Sequence, residues 1–232
     1  MIPVVFVPAA PLLLPAVNPT ATPGVLDVRT AMRMAAAPLA DCARVVAVCA
    51  YADQQPDREI PVPPWQEWPS ELNGEPDSTV TQAAAMLEPS SVQVARWVLA
   101  EVGVSASTVV SVCGPMAGFV DAARSVALAS DDGLLVVGDG SAGRHEKAPG
   151  HIREGAHEFD AEVARALASG NPDGLLTLDP QQAEQVLAGG LPAWQAAALI
   201  VAGLEVTEAN VLLTADPHHV AYFVATWRVG RN

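Results

Sequence analysis

A chain of 232 residues, half of them apolar, is long enough to bury one large core and too hydrophobic to be disordered throughout. Its 12 Lys and Arg stand against 26 Asp and Glu, a formal charge of -14, and no basic stripe offers to neutralise phosphates, so no nucleic-acid partner is expected. The three cysteines, Cys42, Cys49 and Cys113, lie in or beside apolar stretches without metal-ligand spacing, which fits reduced thiols and a cytoplasmic location.

Met1 to Val17 is almost wholly apolar, yet it has no Lys or Arg, and Pro3, Pro8, Pro11 and Pro15 disrupt the helix that a secretory signal needs. No uninterrupted apolar run elsewhere reaches the ~18 residues that span a bilayer, so a soluble protein without a membrane partner is expected. Pro3-Val-Val-Phe-Val7 reads as a first buried strand, followed by a proline-rich loop and a helix over about 24–39. Arg44-Val-Val-Ala-Val-Cys49 is a second strand. Between residues 51 and 79 the composition turns to Pro, Asp, Glu and Gln, with Trp65 and Trp68 three apart, which marks an irregular excursion that serves either as a lid or as a loop stapled down by its tryptophans.

Pro89-Ser-Ser-Val begins a helix to about Val102, with Ser90 or Ser91 as its cap. Thr108-Val-Val-Ser-Val-Cys113 is a third strand, 119–129 a helix, and Leu134-Leu-Val-Val137 a fourth strand. Helices are expected over 152–169, 180–188 and 192–202, separated by Gly170-Asn-Pro-Asp-Gly174 and Gly189-Gly190. Ala209 to Ala215 and Val220 to Trp227 flank Asp216-Pro-His-His219 as an antiparallel hairpin. The sum is one α/β domain over 1–232: a central, mostly parallel mixed sheet with helices on both faces and a C-terminal antiparallel hairpin. Helical segments rich in Ala and Leu at 161–167 and 193–202 suggest a homo-oligomeric face beside ordinary core packing.

Ligands of α/β sheets bind beyond the carboxyl ends of the strands, which draws attention to the glycine-rich turn Gly138-Asp-Gly-Ser-Ala-Gly-Arg-His-Glu-Lys147 after the fourth strand. The turn lacks the lysine followed by Ser or Thr of a phosphate loop, and Ser141 is not in a Gly-x-Ser-x-Gly nucleophile elbow. Tight backbone geometry explains its glycines better than a phosphate cradle does.

Val7-Pro-Ala-Ala-Pro-Leu-Leu-Leu-Pro15, Gly138-Asp-Gly-Ser141 and Tyr222-Phe-Val-Ala-Thr-Trp227, in this order, resemble the class III extradiol ring-cleavage dioxygenases, the catalytic B-subunit family. With Glu146-Lys-Ala-Pro-Gly150 and Phe159-Asp160 before a long helix, the chain is most similar to a small branch of that superfamily, over nearly its whole length. The resemblance implies a non-haem Fe(II) held by two histidines and a carboxylate, and a nearby histidine that shuttles protons. Where the family has a Pro-His-Pro-Pro-like segment this chain has Pro8-Ala-Ala-Pro11, and where it has a Ser-Pro-His-like segment this chain has Cys49-Ala-Tyr-Ala-Asp53. The Gly-Asp-Leu-Ser-His-like turn ends here in Ala142. A methyl group neither binds iron nor moves a proton, so no metal and no cofactor are expected.

What remains around the crevice is a set of ligand-cleft candidates, Tyr51, Asp53, Ser141 and Arg144, and two catalytic candidates, Asp139 and His145, the latter three residues past Ala142 and in reach of the vacated place. Against this stands a plainer arrangement in which Asp139 caps the turn, Arg144 and Glu146 pair with neighbours and His145 is solvated. His151 and His157 are six apart on an expected helix and project to different faces, and His218 and His219 are adjacent on a strand, so neither pair makes a metal site. Three functions follow: a dioxygenase relative without iron that binds a small molecule or acts as a scaffold; an enzyme with a site rebuilt around Asp139 and His145; or a structural subunit of a larger assembly.

Overall fold

Every residue of three Val- and Leu-rich runs is shielded on both faces, save one terminal arginine, and these runs form the middle of the molecule. They are β1 (Ile2–Val7), β2 (Arg44–Ala50) and β5 (Asp132–Val137) of a computed structural model that describes residues 1–51, 66–67, 89–104 and 107–231. With β3 (Gln66–Glu67), β4 (Ser107–Val112), β6 (Glu205–Ala215) and β7 (Tyr222–Gly230) they make a seven-stranded sheet in the order β3-β4-β2-β5-β1-β7-β6. β4, β2, β5 and β1 run parallel, while β7, β6 and the short β3 pair antiparallel. The mixed α/β sheet with its C-terminal hairpin is thus as the sequence patterning predicts.

Strand alternation divides the core into two layers. Val4, Phe6, Val46, Val48, Leu134 and Val136 point to one, and Val5, Val7, Val45, Ala47, Leu135 and Val137 to the other. The first layer is covered by α3 (Val120–Ser125), α4 (Ala156–Ser169), α5 (Pro172–Leu176), α6 (Pro180–Gln185) and α7 (Leu191–Ile200). The second is covered by α1 (Pro23–Ala36), α2 (Ser90–Glu101) and the 3-10 turn Pro11–Leu13. Trp227 locks β7 to β1 and α4: its ring meets Phe6 edge-on at 4.8 Å, and its Nε1 donates to the Leu167 carbonyl at 2.7 Å.

Local chemistry moves several expected boundaries. The first helix turns 3-10 at Ala37–Asp41, where Pro38 cannot supply the amide an α-helix needs. The helix expected over 119–129 covers only Val120–Ser125, and Val126 is already extended. Residues 152–155 precede α4 instead of belonging to it, because His151 and Gly155 adopt left-handed backbone, at φ 58 and 82. Gly170-Asn-Pro-Asp-Gly174, expected as a separator, contains the start of α5, with Pro172 inside its first turn. Neither Ser90 nor Ser91 caps α2: Pro89 occupies the N-cap position, and among the described residues no side chain accepts from the first turn. Most of the 51–79 excursion, with Trp65, Trp68 and Asp53, lies outside the described residues; Gln66 and Glu67 within it pair with Val109 and Thr108 of β4.

The alanine-rich segment at 193–202 is not an outward face. All of α7 except Pro192 is buried within this one chain, so its composition is consumed in packing against the sheet, and a second copy would have to be met elsewhere. Among the described residues no helix is long and apolar enough to cross a membrane.

Candidate functional site

The carboxyl ends of β1 and β5 are adjacent, and the chain leaving each strand is tied to its neighbour. Gly138 N–H continues the ladder by donating to the Val7 carbonyl at 3.0 Å, and one residue later the Asp139 carboxylate accepts from Ala9 N–H at 2.7 Å. Ala10 N–H also favours the ionised carboxylate, yet burial dominates and pushes the Asp139 carboxyl up to about 7. The residue keeps some surface, but its carboxyl group lies deep in the molecule, and among the described residues no cation stands against it. Beside it lies the phenol of Tyr222, held above its ordinary value first by burial and then by the Asp139 charge. Ala9 and Ala10, which stand where the resemblance would put an iron ligand, therefore contribute backbone N–H groups to a carboxylate.

The glycines of the turn are required by close approach. A Cβ on Gly138 would stand 2.5 Å from the Cα of Gly190, and one on Gly190 would stand 2.6 Å from the Asp139 carbonyl oxygen, which accepts from Gly190 N–H at 2.7 Å. Backbone cannot yield as a side-chain tip can, so Gly138→Ala should cost about 2–3 kcal/mol in urea unfolding, as overpacking of a tight site does. A stability within ~0.5 kcal/mol of the parent would show that the turn relaxes freely.

Ser141 is fully buried and belongs to a second group. Its N–H donates to Asp160 Oδ1 at 2.9 Å and its hydroxyl to Asp160 Oδ2 at 2.5 Å. Arg144 approaches the same carboxylate at 3.5 Å, lies 3.4 Å from Asp216 at the hairpin tip, and donates to His157 Nδ1 on α4. Burial holds the Asp160 carboxyl above its usual range, against the Ser141 hydroxyl and N–H, Arg144 and His157. The serine hydroxyl is thereby a donor inside a closed network and presents no nucleophile to solvent. Ala221 N–H donates to the Ser141 carbonyl, and Gly140 N–H to that of Ala221, which fastens the turn to β7.

The structure does not bring Asp139 and His145 together. His145 is exposed; its Nδ1 accepts from Lys147 N–H at 3.0 Å, and its ring stacks on His219 at 4.1 Å between centroids and 13° between planes. His219 reaches that stack through a left-handed backbone at φ 61. His218 keeps a buried Nε2 without a partner among the described residues. His157 is exposed on α4 and bound to Arg144, and His151 lies off the helix that was to carry both. Tyr51 continues β2 by donating its N–H to the Val112 carbonyl at 3.1 Å, whereas Asp53 lies outside the described residues.

Two residues of the site were not singled out by spacing: Asp160 and Tyr222. Asp160 carried a signal, since it interrupts the buried stripe Phe159, Val163, Ala166 and Leu167 of α4, and a carboxylate on such a stripe needs partners. Tyr222 did not, because a tyrosine in a strand is usually core.

Iron does not fit these residues. Ala9, Ala10 and Ala142 offer no ligand atom, and among the described residues no three His, Cys, Asp or Glu side chains gather as a metal ion requires. What the arrangement offers is a carboxyl that gains or loses its proton near neutrality, next to a buried phenol. No protein-family model matches the chain, and no curated protein matches it.

Proposed function

We propose that this protein is a relative of the class III extradiol dioxygenases in which the iron site has been replaced by a hydrogen-bonded carboxyl, and that it binds a small molecule in the crevice over β1 and β5 without cleaving it. One observation supports this: the Ala9 and Ala10 amides, in the segment where the resemblance would put an iron ligand, face the buried carboxyl of Asp139 instead. Burial raises this carboxyl to about 7 against the two amide donors, so near neutral pH it can donate a hydrogen bond to a ligand oxygen or accept one from a ligand hydroxyl. Ser141, Asp160 and Arg144 fix the turn that presents it. Anaerobic loading with Fe(II), metal quantification after desalting, and an extradiol assay with catechols test the proposal. The expected result is no stoichiometric iron and no ring-opened product; one iron per chain with turnover would overturn it.

A second reading, acid–base catalysis at a rebuilt site, is favoured by the same carboxyl, since a catalytic acid or base works best with a pKa near the working pH. It requires Asp139 alone to handle the proton, because His145 is committed to Lys147 and His219.

A further inference from the structure

Helix α2 follows β2 and returns to the parallel strand β4, so it runs against the strands and its first turn lies at their carboxyl ends. It rests on β2, β5 and the Pro11–Leu13 turn that leaves β1. The first turn is uncapped: the N-cap is Pro89, Val92 and Gln93 N–H turn back to the Pro89 carbonyl, and the Ser90 and Ser91 amides have no partner among the described residues. Ser91 is 1 % exposed, and its hydroxyl is buried with no hydrogen-bond partner among the described residues. It shares the sheet-facing side of α2 with Ala95 and Val98 and belongs to the open turn itself, where a helical Cβ leans toward the N-terminus. Pro89 and Ser90 are partly exposed, which leaves the turn open to solvent with Ser91 behind it.

Burying a hydroxyl without a partner is costly, and leaving a twelve-residue helix uncapped forgoes a further stabilising contact. Both costs vanish if an acceptor with several lone pairs sits at the turn, where the helix dipole also favours negative charge. We propose that the first turn of α2 is an oxyanion subsite of the crevice, in which the Ser90 and Ser91 amides and the Ser91 hydroxyl donate to a carboxylate or phosphate group of the bound small molecule. Recognition is by uncharged donors, which suits a chain as acidic as this one and sets a modest affinity. The subsite rests on the reading that the crevice takes a ligand; iron loading would defeat that reading and leave the subsite standing, whereas the titration below bears on the subsite alone.

Thermal unfolding of the whole chain is followed at pH 7 in rising sodium phosphate, sodium acetate and sodium chloride at matched ionic strength. Phosphate, acetate or both should raise the midpoint saturably by a few degrees over chloride, and the better of the two identifies the group. Ser91→Ala should unfold at or above the parent midpoint without the anion, because an unsatisfied hydroxyl is removed, and should bind it about tenfold more weakly, the loss of one hydrogen bond to a charged group. Ser90→Pro removes one donor from a position where proline is accepted, after a Pro89 already extended at φ -54 and ψ 141, and should likewise weaken binding. Equal midpoints in all three salts, or a Ser91→Ala variant as responsive as the parent, would overturn the proposal.

Discussion

Asp139→Asn should make the protein more stable at neutral and alkaline pH, and the gain should vanish in acid. Burial raises the folded-state carboxyl to about 7, so between its ordinary range and that value the unfolded chain ionises while the folded chain stays protonated. The folded state then binds more protons, and stability is complete below about pH 4 and falls as pH rises through about 7. Carrying a carboxyl that far corresponds to roughly 4 kcal/mol, an upper bound because the surroundings relax around a charge that is forced to form. Asparagine reproduces the protonated acid, since its oxygen still accepts from Ala9 N–H and no charge can appear. Urea midpoints of parent and variant at pH 4 and pH 8 should coincide at the first and separate by about 2–4 kcal/mol at the second. A variant less stable than the parent at pH 8 would mean that the ionised carboxylate is held favourably, and the view of Asp139 as a strained acid would fall. A group that costs its own fold stability is one that binding or chemistry has reason to keep.

How far sequence carries is clearest at individual residues. The buried strands were legible because runs such as Leu134-Leu-Val-Val137 have no polar residue to place, and their parallel order follows from the alternation with helices. Helix ends were less legible: Val126 leaves the helix and His151 turns left-handed, backbone states that neither residue type announces. Of the site, Asp139 and Ser141 could be placed on the turn, but not their partners. Ala9 acts through its amide, which any residue type possesses, and Asp160 is reached only once α4 is laid against the turn, nineteen positions from Ser141. The expectation that His145 would fill the place of a missing imidazole rested on proximity in sequence. The chain instead spends that ring on His219, contributed by the hairpin at the far end of the protein. Residue types reveal which chemistry is available; which groups meet is decided by long-range packing.

The same distinction governs the second large effect, at Asp160. This carboxylate is 4 % exposed and is the acceptor on which Ser141 N–H, Ser141 Oγ and Arg144 converge. Asp160→Ala would leave two buried donors unsatisfied and withdraw a charge partner from Arg144, so a loss of about 3–5 kcal/mol is expected, as when one member of a buried pair is removed. Asp160→Asn keeps an acceptor for Ser141 N–H and lets its amide donate to the hydroxyl, so about 1–2 kcal/mol is expected. Urea unfolding at pH 7 measures both, and an alanine variant within ~1 kcal/mol of the parent would show that the network is decorative. The two carboxyls are linked through the turn: Asp160 anchors Ser141, two residues from Asp139, and Ser141 is fastened in turn to Ala221 beside Tyr222. If that anchor is what keeps water from Asp139, the loss of stability between pH 4 and pH 8 should shrink in Asp160→Ala and persist in Asp160→Asn. An undiminished pH dependence in the alanine variant would place the enclosure of Asp139 in Ala9, Ala10 and Tyr222 alone, and would separate the anchoring of the turn from the chemistry it presents.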